Sequence, residues 1–215
     1  MSIMVRTRGA TNMVFFTSDT HFGESDSRLK LMFRDGVLTG GKTLDDFLID
    51  RWNSVVSKDD KVFHLGDFAY DSKFLSIAKK LNGKEKVLVR GNYDKAPVAE
   101  LLQYFDKVLD SHTIKYGDRL FYLNHYPSRC KQDVWNLTGH VHGHWRTQRN
   151  MINVGVDVWN WAPVSMSDIA RCVEAVEKHY DQDIFAGELE CNTSWKGKRG
   201  KTGSYADSVK LEEIK

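Results

Sequence analysis

The chain has 215 residues, enough for one domain with a substantial core but cramped for two. Its 31 basic and 29 acidic residues leave a net charge of +2, so the molecule as a whole makes no electrostatic case for nucleic-acid binding, and a 41% hydrophobic share is ordinary for a globular protein. Three widely spaced cysteines, Cys130, Cys172 and Cys191, fit neither a disulfide framework nor a thiolate zinc site.

Residues 1–12 read as an N-terminal extension without the apolar core and cleavage site of a signal peptide. No run approaches the ~18 apolar residues of a membrane span, so the expectation is a reduced, cytoplasmic protein without a membrane partner. The domain runs over 13–191. "MVFFTSD" (Met13–Asp19) predicts a buried strand. Thr43–Lys58 predicts a helix capped by Thr43, with Asp46 near N3 and Leu44, Phe47, Leu48, Trp52, Val55 and Val56 on one face. A second strand follows at Lys61–Asp67, a second helix at Ser72–Gly83 and a third strand at Glu85–Asp94. This β-α-β-α-β order belongs to an α/β sheet.

The second half holds short strand candidates at "DKVLD", "HTIKY", "RLFYLNHYP", "VWNLTGHVHGH" and "NMINVGVDVW", with Gly117-Asp118 as a hairpin turn. A last helix is expected at Ser167–Tyr180, giving a two-sheet core with helices outside. Residues 192–215, with "KGKRGKTGS", read as a basic, flexible tail. A weak contact to a nucleic-acid backbone is the alternative role for it.

Polar residues collect where the strands end, the place where ligands bind in open α/β sheets. They are Asp19 and His21 after the first strand, Asp67 after the second and Asn92 after the third, then His125, His140 and His142. All are oxygen or imidazole donors. Seven are too many for one octahedral ion that keeps positions open for a substrate; they suit two metal ions sharing a carboxylate. "DTH" and "HVH" are i, i+2 pairs, which an extended backbone points to one side, ~6–7 Å apart. Two ions ~3.5–4 Å apart can then each take one member of a pair.

The blocks "SDTHFG" (Ser18–Gly23), "HLGDF" (His64–Phe68), "RGNYD" (Arg90–Asp94), "NHYP" (Asn124–Pro127) and "GHVHGH" (Gly139–His144) resemble, in order, those of the calcineurin-like metallophosphoesterase superfamily. "NVGVDVWNWAPVS" (Asn153–Ser165) resembles the closing segment of a small bacterial and phage branch. The resemblance implies a β-sandwich flanked by helices, a four-layer α-β-β-α arrangement. It implies that Asp19, His21 and His142 bind one divalent metal, that Asn92, His125 and His140 bind the other, and that Asp67 bridges them. Mn²⁺ comes first among the metals, with Fe, Ni²⁺ or Zn²⁺ as alternatives that an N/O ligand set does not separate. The implied activity is hydrolysis of a phosphoester by hydroxide held between the two metals.

Catalytic roles are expected for Asn92, Tyr93 and Asp94. Many relatives carry His where this chain has Tyr93. A phenol can donate a hydrogen bond but suits proton transfer less well than imidazole. Substrates with poor leaving groups should suffer most. A phosphodiester, such as a nucleotide or cyclic nucleotide ester, is therefore favoured. The alternatives are a phosphomonoesterase or protein phosphatase, and a metal-binding interaction module without turnover. His144, His112 and His179 read as surface or supporting residues, and His64 as a buried histidine bonded to a carbonyl. Trp159 and Trp161 read as packing residues, with base stacking as the alternative. Arg129 and Arg146 read as solvated or as phosphate contacts.

Overall fold

Alternation along the first three strands divides their side chains between two cores, and that division fixes the architecture. The computed structural model describes residues 12–24, 42–179 and 211–213. Residues 1–11, Cys191 and the basic run at 196–201 lie outside them. Strands β1 (Val14–Thr17), β2 (Lys61–His64), β3 (Glu85–Val89) and β4 (Lys107–Leu109) run parallel, and β10 (Val164–Ser165) joins β1 antiparallel. Phe16 pairs with Phe63, and Phe63 with Val87, on one face; Phe15 and Val62 pair on the other.

The second sheet has the order β11-β5-β6-β7-β9-β8, from β5 (His112–Tyr116), β6 (Arg119–Leu123), β7 (Trp135–Thr138), β8 (Thr147–Gln148), β9 (Met151–Asn153) and β11 (Leu211–Glu213). Its alternate residues Ile114, Phe121, Leu123, Leu137 and Ile152 are fully buried and join Phe16, Phe63 and Val87 in one cluster between the sheets. The other face of the first sheet is covered by α1 (Leu44–Val55), a 3-10 helix at Ser72–Lys80 and the short α2 (Val98–Leu101), through Leu48, Trp52, Leu75 and Leu101. Burial of such side chains contributes about 1.5–3 kcal/mol each. Helix α3 (Met166–His179) adds Ile169, Ala170 and Val173 to the cluster between the sheets. The result is a two-sheet α/β sandwich flanked by helices, as expected. Among the described residues no helix is long and apolar enough to cross a membrane.

The cap of α1 forms as read: Thr43 Oγ1 accepts the Asp46 N–H at 3.1 Å. Other expectations change. The helix at Ser72–Gly83 is a nine-residue 3-10 helix ending at Lys80. Its buried Leu75 and Ala78 lie three apart, the spacing that lines up in a 3-10 turn. "DKVLD" belongs to the first sheet, beside β3, rather than to the second-half strands. Within the expected tail, Leu211–Glu213 pairs antiparallel with β5. Each strand that leads to the polar cluster stops short of it: β1 at Thr17, β2 at His64, β3 at Val89, β6 at Leu123 and β7 at Thr138.

Candidate metal centre

Backbone hydrogen bonds tie the segments that follow β1 and β2 to each other and join them to the second sheet. The segment after β1 hydrogen-bonds the segment after β2: the Asp19 N–H donates to Gly66 O, His21 N–H to Asp67 O and Phe22 N–H to Phe68 O, each at 3.0 Å. Ser18 bridges to Gly155, beyond β9, which joins the carboxyl ends of the two sheets. The His140 N–H reaches across to both oxygens of Asp19 at 3.0 Å. So close an approach requires glycine at 139, where a Cβ would stand 2.6 Å from Asp19 Oδ2 and 2.4 Å from Ser18 Oγ. Gly91 is pressed on Asp67 in the same way, its Cβ position 2.3 Å from Asp67 Oδ1.

Two groups result. Asp19, His21 and His142 place one donor atom each within 4.8 Å of one another, and so do Asp67, His125 and His140. Asp67 Oδ2 lies between them, 3.7 Å from His21 Nε2 and 3.3 Å from His125 Nε2. Asn92 Oδ1 belongs with the second group, 3.1 Å from His125 Nε2 and 3.0 Å from His140 Nδ1. All seven residues singled out in the sequence therefore meet in one place.

Proton accounting indicates what the place suits. His125 Nδ1 lies 2.7 Å from the carbonyl of Leu65, which only accepts, so Nδ1 carries the proton. In neutral His125 the Nε2 lone pair then faces Asn92 Oδ1 and Asp67 Oδ2. Three acceptors aimed at one point call for a cation, and these N/O donors fit a divalent metal ion. In a metal-free protein a proton answers the same field: burial pulls the His125 pKa down, but the hydrogen bond to Asp67 and the charges of Asp19 and Asp67 leave it raised. Burial pushes Asp67 up, yet His125, the Tyr93 N–H and His21 hold it below the usual carboxylate range. Asp19, fully buried, is pushed up to about 6 by desolvation, against the pull of His125 and Ser18.

The other ring nitrogens face outward to carboxylates. His142 Nδ1 lies 3.4 Å from Asp157 Oδ2, and His21 Nδ1 lies 3.7 Å from Glu24 Oε2. These are ion-pair separations, and His142 Nδ1 makes no hydrogen bond among the described residues, so Asp157 acts on that ring through charge. Asp157 and Glu24 were not among the candidates from the sequence. Asp157 lies in "NVGVDVW", whose match to a closing segment was the only available signal.

Several expectations need correction. "DTH" and "HVH" are not extended: Asp19, His21, His140 and His142 have φ of 57°, 44°, 72° and 53°. His140 and His142 do go to different groups, but Asp19 and His21 share one. Asp94 does not face the donors. Its buried carboxylate accepts the N–H groups of Asp67 at 2.8 Å, Phe68 at 3.1 Å and Gly91 at 2.8 Å, which makes it a positioning residue. Tyr93 donates its N–H to Asp67 Oδ1 at 2.8 Å and sets its ring edge-on to His21, centroids 4.7 Å apart. His64 is buried, but its partner is the Thr20 hydroxyl at 2.9 Å rather than a carbonyl. Thr20 gives its own proton to Phe68 O at 2.7 Å, so His64 Nε2 is the donor.

His112 is half-buried and stacks on Phe63 at 5.9 Å. His144 is exposed, with Nδ1 2.8 Å from Val141 O. Trp159 and Trp161 pack against the two cores; the Trp159 indole N–H is bonded to Asn153 O, and Arg146 lies over its ring. Arg129 is exposed, stacked on Tyr126 at 4.7 Å. Cys130 and Cys172 are free thiols.

No family model matches the chain. The uncharacterized protein MJ1445 of Methanocaldococcus jannaschii is 29% identical over 175 residues, which span 75% of this chain and 91% of that protein. A solved structure of a protein of unknown function, AQ665 from Aquifex aeolicus, superposes with a TM-score of 0.58 at 25% identity, over 75% of this chain and all of that one. The nuclease MPE of Pseudomonas putida is 23% identical, with a TM-score of 0.40, over 60% of this chain and 61% of its own.

Proposed function

We propose that this chain is a calcineurin-like metallophosphoesterase that uses two divalent cations and favours phosphodiesters. The observation that carries the reading is the position of Asp67 Oδ2, within 3.7 Å of His21 Nε2 and 3.3 Å of His125 Nε2, at the seam of two His/Asp groups. Asp19, His21 and His142 would hold one cation, Asn92, His125 and His140 the other, and Asp67 both. When bound, the cations supply Lewis-acid charge for phosphoryl oxygens and bring the pKa of a water toward neutrality.

The chain's own groups do the rest. Leu65 O holds the His125 proton on Nδ1, so that Nε2 offers its lone pair inward. The Asp157 carboxylate, 3.4 Å from His142 Nδ1, favours a proton there by its charge, without a hydrogen bond. The Tyr93 N–H fixes one oxygen of Asp67 and leaves the other, Oδ2, to face the two groups. The exposed Tyr93 side chain, 38% accessible, stands at the rim, where its hydroxyl can donate to a substrate oxygen. The diester preference rests on this tyrosine: no imidazole at position 93 protonates a leaving oxygen, and a good leaving group needs none.

The test is Mn²⁺-dependent hydrolysis of bis-p-nitrophenyl phosphate beside p-nitrophenyl phosphate, with Asp67→Ala as the blank. Faster diester turnover that the substitution abolishes is the expected result. Faster monoester turnover would keep the metal site and overturn the inference from Tyr93. Tight metal binding without turnover of either ester, across Mn²⁺, Fe²⁺, Ni²⁺ and Zn²⁺, would favour an interaction module.

A further inference from the structure

Five large hydrophobic side chains are exposed among the described residues, and the two aromatic ones, Tyr70 and Tyr93, touch each other. Tyr70 is 51% accessible and Tyr93 38%; their ring centroids are 5.6 Å apart with the planes tilted by 33°. Both are anchored in the segments that build the metal centre. The Tyr70 N–H donates to Phe22 O at 3.0 Å, and the Tyr93 N–H to Asp67 Oδ1 at 2.8 Å. The Tyr93 ring lies edge-on to His21. Neither phenol hydroxyl bonds another described residue, so the pair has no evident structural task that would account for its exposure.

The opposite rim differs. Tyr126 sets its edge against His125 and His140, but the Arg129 guanidinium lies over its ring. Uncovered aromatic surface beside the donors is therefore found on the Tyr70 and Tyr93 side. Flat rings on anchored backbone next to a phosphoester site suit a planar group joined to the phosphate. Stacking of a base on an aromatic side chain is tolerant of base identity and has a measurable share in affinity. Aromatic rings with few rotatable bonds also lose little freedom when a ligand docks on them.

We propose that Tyr70 and Tyr93 form a stacking shelf for the nucleobase of a nucleotidyl phosphoester whose phosphate lies at the His/Asp groups. The shelf rests on the phosphoesterase reading for its substrate class, yet its binding is measurable without turnover. Tyr70 is the residue to change, because Tyr93 also contacts His21.

The binding probe is 2-aminopurine riboside 5′-monophosphate, whose fluorescence is quenched on stacking, titrated against the full chain with and without Mn²⁺. Tyr70→Ala is expected to weaken the quench-detected affinity about tenfold, within the range found for base–aromatic stacking, while Tyr70→Phe stays within about twofold of the parent. In turnover, the ratio of kcat/KM for p-nitrophenyl thymidine 5′-phosphate to that for methyl p-nitrophenyl phosphate should fall about tenfold in Tyr70→Ala. No quench with the parent protein, or equal affinities for the parent and Tyr70→Ala, would overturn the shelf. A Tyr70-dependent quench with neither ester hydrolysed would keep the shelf and defeat the phosphoesterase reading. Hydrolysis of both esters with an unchanged ratio would do the reverse.

Discussion

Removing the Asp94 carboxylate tests whether the candidate metal centre is held from beneath. In Asp94→Ala the N–H groups of Asp67, Phe68 and Gly91 lose their acceptor together. A buried donor left unpaired costs about 1–3 kcal/mol. Asp67 and Phe68 are buried, whereas Gly91 is half-buried and water can serve it. Burial also pushes the Asp94 pKa up against the pull of its three N–H partners, so the native carboxylate carries a desolvation cost that the alanine avoids. The balance comes to about 3 kcal/mol, a large share of the ~5–15 kcal/mol typical of a domain. Asp94→Asn keeps one carbonyl oxygen and should lose about 1–2 kcal/mol. Urea unfolding at pH 7, followed by tryptophan fluorescence, measures both, with an unchanged m-value as the control. The asparagine variant should also bind Mn²⁺ more weakly, while the limbs of its pH–rate profile stay in place. A stability loss below about 1 kcal/mol for alanine would refute the reasoning. So would a displaced limb at unchanged stability, which would restore a proton-transfer role to Asp94.

Two further outcomes are expected. Asp157→Ala removes the carboxylate behind His142 and should weaken Mn²⁺ binding by about 10–100-fold, read by titration calorimetry; undiminished affinity would show that His142 needs no such support. His64, held near pKa 3 by burial, lies below its ordinary value near 6.5 in the folded chain, so the unfolded chain takes up the proton first as pH falls. Its stabilisation is full above the unfolded pKa and is lost from about pH 6.5 down to about pH 3, by about 1.4 kcal/mol per pH unit. His64→Gln, whose amide can still donate to Thr20, should flatten the fall in Tm between pH 6 and pH 4; parallel curves would count against this.

The sequence disclosed the site better than it disclosed the local backbone. Donor type and strand-end position sufficed to bring Asp19, His21, Asp67, Asn92, His125, His140 and His142 together, because parallel strands share the end at which such loops emerge. The conformation of those loops was not legible. An i, i+2 spacing suits an extended segment, but φ is positive at Asp19, His21, His140 and His142, and local pattern carries little sign of that for residues other than glycine. Asp94 was expected to be catalytic beside Asn92 and Tyr93, while two of its three partners, Asp67 and Phe68, are 26 or more positions away. Likewise Asp157 and His142 meet because β7 and β9, whose ends lead to them, pair in parallel.

The left-handed residues suggest why so much backbone bonding surrounds the site. Eight non-glycine residues among those described have positive φ, and Asp19, His21, Asp67, His140 and His142 are five of them. Such conformations cost of order 1–3 kcal/mol each and persist only where the surroundings over-determine them. Here the surroundings are identifiable: Asp19 and His21 are pinned by N–H bonds to the segment carrying Asp67, Asp67 by its bonds with Tyr93 and Asp94, and His140 by Asp19. Hydrogen bonds among the donor-bearing segments themselves oppose this strain. Weakening one of these ties, as at Asp94, should be felt at both groups through Asp67.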